Sequence, residues 1–250
     1  MRCSRPPRYA PLVDEAADTP LVTIESDGAP LQIRLRRTPR ARRVSLRTDA
    51  RTGDVVLVLP ERASLRAALG FARSQAGWIR TRLAQTPPAM PFAPGAVLDI
   101  LGARVRIEHD PTLHGATRRA GDVLLVGGRP EFVARRVRDH LRAEARRILS
   151  ARAREKAAAM GGQVTALRVA DTRSRWGSCA RGGRLSFSWR LVMAPPEIVD
   201  YVVAHEVAHI AHHDHGDAFW ALVDRLTPHR VHAQAWLRRE GPALLRAGAT

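Results

Sequence analysis

Val203-Ala-His-Glu-Val-Ala-His-Ile-Ala-His-His-Asp-His215 is the stretch on which the reading of this chain turns. His205 and His209 are four residues apart, so on a helix they stack on one face and can grip one metal ion. Glu206 follows the first histidine and sits beside that face, where it can take a proton from a water at the metal. Pro195 and Pro196 stand upstream, and a proline at the first helical position is a start signal. Ile198, Val199, Val202, Val203, Val207, Ala208 and Ile210 make the segment apolar almost all round, as in a buried helix. A buried carboxylate without a partner is costly, so Glu206 needs compensation, and a divalent cation supplies it.

Zn2+ is the expected ion, and catalytic zinc commonly takes three protein groups while keeping one position open. His212, His213, Asp214, His215 and Asp217 are the nearby candidates for the third. His212 and His213 would continue up the same helical face, as exposed or outer neighbours of the site. His215 can turn back if the helix ends near His213, and Asp214 and Gly216 are residues suited to that break. His215 is therefore favoured. Metzincin enzymes also carry a third histidine six residues on, but with glycine where this chain has His212, so the turn here must be built differently.

Arg175-Trp-Gly-Ser-Cys179, Leu185-Ser-Phe-Ser-Trp-Arg-Leu191, the segment Pro195 to His209, and His215-Gly-Asp-Ala-Phe-Trp220 together resemble the YgjP-like metallopeptidase family, a relative of the WSS and SprT-like zinc proteases. The strong resemblance covers about residues 163 to 241; upstream it is looser, through the strand pattern and a helix carrying Gly77-Trp78-Ile79. It implies His205, His209 and His215 as metal ligands and Glu206 as the catalytic carboxylate. The chain departs from the family pattern at Ser188, where Asn is usual. It departs again at Asp214 and Gly216, where Asn and Ser usually flank the third histidine. No ligand is lost by these changes.

Composition sets outer limits. A chain of 250 residues can hold one large or two small domains. No run of 18 apolar residues is present, so no membrane span is expected, and Met1 to Pro20 lacks the apolar core of a secretory signal. Cys3 and Cys179 are the only cysteines, which argues against a disulfide framework and for a reducing, cytoplasmic setting. Cys179 has no partner at ligand spacing and reads as a small packed side chain. The net charge of +17 would ordinarily suggest a nucleic-acid partner. Yet Lys156 is the only lysine, and with abundant alanine the arginine excess also fits a general compositional bias. Arginine's bidentate grip on phosphate keeps the nucleic-acid reading alive.

The expected architecture is α+β: a zincin-like core of long helix, small sheet and metal helix, preceded by a smaller β-rich region. Residues 1–20 read as a flexible tail, 21–127 as the β-rich region with one helix, and 128–250 as the metallopeptidase domain. Leu21 to Ile24, Leu31 to Leu35, Arg43 to Thr48 and Val55 to Leu59 predict a small antiparallel sheet between turn signals such as Ser26-Asp-Gly28. Helical spacing runs from Ser64 to Gln85, with Trp78 as a core anchor. Four prolines between Thr86 and Gly95 mark a boundary loop. A hairpin around Gly102 and a strand at Val123 to Val126 follow. A long helix then spans Pro130 to Met160, its arginines a solvated face, and is stopped by Gly161-Gly162. Strands at 164–171 and 185–191 precede the metal helix, and two helices at about 217–226 and 231–240 follow it. No internal repeat is evident.

The expected reaction is hydrolysis of a peptide or protein substrate, with Glu206 relaying a proton from water to the leaving amine. Leu185 to Leu191 is a candidate strand for pairing with an extended peptide. Arg175, Tyr201 and the surplus histidines are candidates to face the oxyanion, while Trp176, Trp189, Phe219 and Trp220 read as packing. Two other classes compete. A metal-dependent nucleotide hydrolase would use the same water, but no GxxxxGK[ST] loop is present. A non-enzymatic, nucleic-acid-associated zinc module would want a fourth protein ligand, for which Cys179 alone is poor support.

Overall fold

Three times along the chain a strand is followed by a hairpin whose second strand returns parallel to the first, and each time helical structure comes next. This is seen in the computed structural model, which describes residues 20–26, 29–172 and 174–249. The expected N-terminal tail, apart from Pro20, and Asp27-Gly28 of the first turn signal lie outside the described residues.

The first sheet comprises β1 (Leu21–Ser26), β2 (Ala29–Arg37), β3 (Ser45–Thr48) and β4 (Val55–Leu59), in the order β1-β2-β4-β3. Its central strand β4 is the apolar run Val-Val-Leu-Val-Leu, as a strand with a neighbour on each side needs. The sheet is mixed rather than antiparallel as expected, because β4 lies parallel to β2, with Arg34 opposite Val56 and Arg37 opposite Leu59. The route through β3 brings β4 back in the direction of β2. The single helix expected from Ser64 to Gln85 is two, α1 (Leu65–Ser74) and α2 (Ala76–Ala84), broken at Gln75. The break lets Ala68 and Ala72 of α1 and Ala76 and Ile79 of α2 share one core with Leu57 and Leu59. Ile79 therefore takes the buried place, and Trp78, expected as the anchor, stands 36% exposed with the Arg82 guanidinium 5.6 Å above its ring.

The second sheet repeats that order as β5-β6-β8-β7, from β5 (Val97–Ile100), β6 (Ala103–Asp110), β7 (Thr117–Ala120) and β8 (Val123–Gly127). β7 was not legible in the sequence. Thr-Arg-Arg-Ala has no apolar alternation, and pairing with the central strand β8 makes it a strand. The third sheet lacks the extra edge strand and runs β10-β11-β9, from β9 (Ala166–Ala170), β10 (Gly177–Ala180) and β11 (Arg184–Ser188). No repeat shows in the sequence because a sheet asks only for suitable alternation, which many sequences satisfy.

Between the second and third sheets runs α3 (Val133–Ala159), entered through a short 3-10 turn at Pro130–Phe132. Val133, Val137, Leu141, Ala145, Leu149, Ala153 and Ala157 form its fully buried stripe. Gly161 ends it with φ of 70°, its amide bonded to the Ala158 carbonyl and that of Gly162 to Ala157, a Schellman closure. α4 (Pro196–Ala208), α5 (Asp217–Leu226) and α6 (Arg230–Leu245) complete the chain. β11 stops at Ser188, short of the expected Leu191, and the chain continues as a buried 3-10 segment, Trp189–Met193.

The described chain forms two compact units, one reaching Asp49 and resuming from Asp54 to Gln85, the other made of 50–53 and everything from Thr86. The division thus falls at the proline-rich loop and not at residue 127, because the second sheet shares its core with α3. The architecture is α+β with a β-rich N-terminal region. No helix among the described residues is long and apolar enough to cross a membrane.

Candidate metal centre

α4 opens on Pro196 at its first position, with Glu197 in the first turn, where a negative charge suits the helix N-terminus. Nine of its residues are buried, which explains its near-continuous apolarity. The helix stops at Ala208, about one turn before the expected end near His213. His209 is its C-cap, and Ile210, Ala211 and His212 tighten onto the carbonyls of Val207 and Ala208. His212 then supplies a carbonyl 2.8 Å from Nδ1 of His209. A neutral imidazole that donates from Nδ1 leaves Nε2 as a free lone pair. The turn that other families build with glycine is built here on a histidine backbone.

The chain next folds back through an Asx turn, with the Asp214 Oδ1 accepting from the Gly216 amide at 3.2 Å. Gly216 is the N-cap of α5, at φ −75° and ψ −178°, extended backbone open to any residue. His215 is thereby carried to the metal helix, and its Nε2 lies 3.3 Å from Nε2 of His205. Ligand atoms of His205, His209 and His215 all fall within 4.8 Å of one another. His212, His213, Asp214 and Asp217 do not join this group.

Phe219, fully buried in the first turn of α5, is the floor of the cluster. Its ring stacks on His209 at 4.5 Å and meets the edges of His215 at 4.8 Å and His205 at 5.0 Å. Trp220 closes a second side, 5.7 Å from His215 and 5.8 Å from His205. These are packing residues as expected, but what they pack is the imidazoles themselves.

Glu206, next to His205 on the same helix, lies against β10. A Cβ added to Gly177 would come within 2.5 Å of its Cγ and 2.7 Å of its Oε1. Gly177 is thus the gap that admits the carboxyl group, a role its place in Trp-Gly-Ser-Cys did not reveal. A glycine in an edge strand often marks a close approach, and that was the available signal. Burial pushes the Glu206 carboxyl up to about 8, against a smaller downward pull from Arg175. Among the described residues no hydrogen bond to this carboxyl is formed.

His205 is held down to about 3, by burial first and then by the neighbouring rings of His209 and His215. Burial lowers His209 as well. These rings reject a proton and present neutral nitrogen, the form that binds a metal. Two ligands of one tetrahedral zinc, each about 2.0–2.1 Å from it, would lie roughly 3.3 Å apart, close to the spacing of the His205 and His215 nitrogens. The donor set therefore fits a divalent cation, and the charge it brings would stabilise the ionised Glu206. Of the expected oxyanion candidates, Tyr201 is buried with its hydroxyl accepting from Gln234 at 3.0 Å, and Arg175 is exposed.

A family model described as YgjP-like, metallopeptidase domain, matches residues 42–240. The match reaches well upstream of the stretch where the sequence resemblance is strong. No curated protein and no solved structure matches the chain.

Proposed function

We propose, from the premise that this chain belongs to the YgjP-like metallopeptidase family, that it hydrolyses peptide bonds at a zinc ion held by His205, His209 and His215, with Glu206 moving the proton. The observation that carries this reading is the trio of imidazoles with ligand atoms within 4.8 Å, beside a buried carboxyl that has no hydrogen bond among the described residues. Zinc, when bound, supplies Lewis acidity that makes an attacking water acidic near neutral pH and polarises the carbonyl under attack.

The chain's own residues supply the rest. Glu206 accepts the proton of the attacking water on its carboxylate and delivers it to the departing amine, and a proton affinity near ambient pH suits both transfers. Gly177 leaves the space in which that carboxyl sits. Phe219 keeps the three rings in register. The strand that would take an extended peptide is β10 rather than Leu185 to Leu191, because β11 is paired on both sides, with β9 and with β10. β10 pairs only with β11 among the described strands, so its other edge is the one on which an extended peptide would pair.

Replacing Glu206 with Gln should leave one metal per chain and lower peptide hydrolysis by about 10³-fold or more, in the range of a lost general base. Metal analysis and turnover on a peptide library measure both. Hydrolysis at the parent rate in Glu206→Gln would remove Glu206 from the reaction. Nucleoside triphosphates, run in the same screen with and without chelator, test the competing phosphoanhydride chemistry.

A further inference from the structure

Seven arginines fall between Arg34 and Arg47, with no acidic residue among them. The matching part of the second sheet, residues 103–127, has four arginines against three acidic residues. A general arginine enrichment accounts for the second stretch and not for the first.

Two of the seven anchor the rest. Arg34 pairs with Asp54 at 2.6 Å. Arg37 donates to the carbonyls of Pro60, Glu61 and Ala63 at 3.2, 2.7 and 3.0 Å. This clamp fastens the turn after β2 to the loop that leads into α1. The turn is further tied by the Thr38 amide to the Leu59 carbonyl and the Ala41 amide to Thr38. Arg40, Arg42 and Arg43 project from the turn, and Arg62 and Arg66 from the adjoining loop and helix start. All five are exposed, and none has an ion pair or side-chain hydrogen bond among the described residues. On α3 the exposed arginines are mixed: Arg135 lies 3.6 Å from Asp139, Arg142 3.7 Å from Asp171 and Arg147 2.8 Å from Glu144. Arg146 and Arg154 have no such partner among the described residues, and they are spread along the helix rather than gathered on one turn.

Like charges gathered within a few residues of one anchored turn repel one another, and a polyanion relieves that repulsion. We infer that this face of the first unit binds the phosphate backbone of nucleic acid, RNA or DNA, without reading its sequence. Guanidinium groups present the paired donors that phosphate oxygens accept, and arginine rather than lysine supplies every positive charge here, against the single carboxylate of Glu61 in the adjoining loop. An anionic membrane is the less suitable partner, since the exposed apolar side chains of this unit, Leu21, Leu65, Phe71 and Trp78, are scattered singly over β1, α1 and α2 and form no insertion motif.

The test uses the full chain with labelled single-stranded RNA, single-stranded DNA and duplex, read by fluorescence anisotropy across a salt titration. The variant R40Q/R42Q/R43Q is compared with R104Q/R106Q/R118Q, which removes the same charge from the second sheet. The first should weaken binding by about tenfold or more and flatten the salt dependence by about two phosphate contacts, while the second changes affinity by at most about twofold. Preference for RNA or for DNA identifies the natural ligand and supports the surface either way. Equal losses in the two variants would reduce the effect to diffuse charge and overturn the proposal. So would a parent protein that ignores nucleic acid at low salt, or that binds phosphatidylserine vesicles instead. Peptide hydrolysis, measured alongside, should be the same in both variants, so failure of the peptidase reading and failure of this one are separable.

Discussion

The two four-stranded sheets share one strand order, β1-β2-β4-β3 and β5-β6-β8-β7, yet only the second belongs to the unit that carries the metal centre. The difference lies in the helical structure that succeeds each sheet. After β4 the helical segment breaks at Gln75 into pieces of 10 and 9 residues, whose buried side chains serve the first sheet's own core. After β8 comes one helix of 27 residues, whose buried stripe joins a single core with the third sheet and α4. Strand order is therefore not what builds the site. Helix length is, because a stripe must outrun its own sheet to bury a second layer.

If all that holds the site lies in the second unit, its components should be the ones whose loss costs metal. Phe219→Ala should have the largest effect, about 3–5 kcal/mol of stability, with metal affinity lowered about 10–100-fold because the orienting floor is gone. Calorimetry and a zinc competition assay measure the two. Leu141→Ala in α3 and Ile79→Ala in α2 form the matched pair, each removing a fully buried aliphatic side chain at a cost of about 2–5 kcal/mol. Only Leu141→Ala should reduce metal retention. Equal metal loss in both would break the contrast between the units.

A smaller effect is expected at Glu206. Its carboxyl, raised from 4.5 to about 8 by burial, holds its proton more tightly in the folded chain than in the unfolded one. In metal-free protein this group's stabilising contribution is thus complete below pH 4.5 and is lost as pH rises to about 8. Glu206→Gln should leave the melting point unchanged near pH 4 and stabilise by roughly 2–4 kcal/mol near pH 8, measured in chelator. Added zinc should shrink that gain, since the cation stabilises the carboxylate. The smallest expected change is at the stop of the long helix. Gly161→Ala at φ 70° should cost about 1 kcal/mol, the penalty for a side chain in left-handed backbone. A parallel substitution at Gln75, whose φ is −104°, carries no such penalty.

Much of this was legible in residue order. α3 was expected over Pro130 to Met160 and lies at Val133–Ala159, because a buried stripe and a Gly-Gly stop are local signals. α5 was expected at about 217–226 and spans Asp217–Leu226. His205, His209 and Glu206 are set by helical spacing, and the chain brings His215 to them. Other features were hidden for a common reason. β7 is a strand only because β8 lies beside it, and the parallel pairing of β2 with β4 depends on the path between them. Trp78 is apolar enough for a core, but the bend at Gln75 turns Ile79 inward in its place.

Residue order alone put His205, His209 and Glu206 on one helix and favoured His215 among five nearby candidates, through helical periodicity, the chemistry of imidazole and the turn-forming residues around it. Three-dimensional packing decided how they are held. The His212 carbonyl that orients His209 comes from the local way the helix ends, while the Phe219 ring beneath all three histidines and the missing side chain at Gly177 that admits Glu206 are contacts between segments. Such contacts leave no mark in spacing, because each partner's own sequence would be equally content with many others.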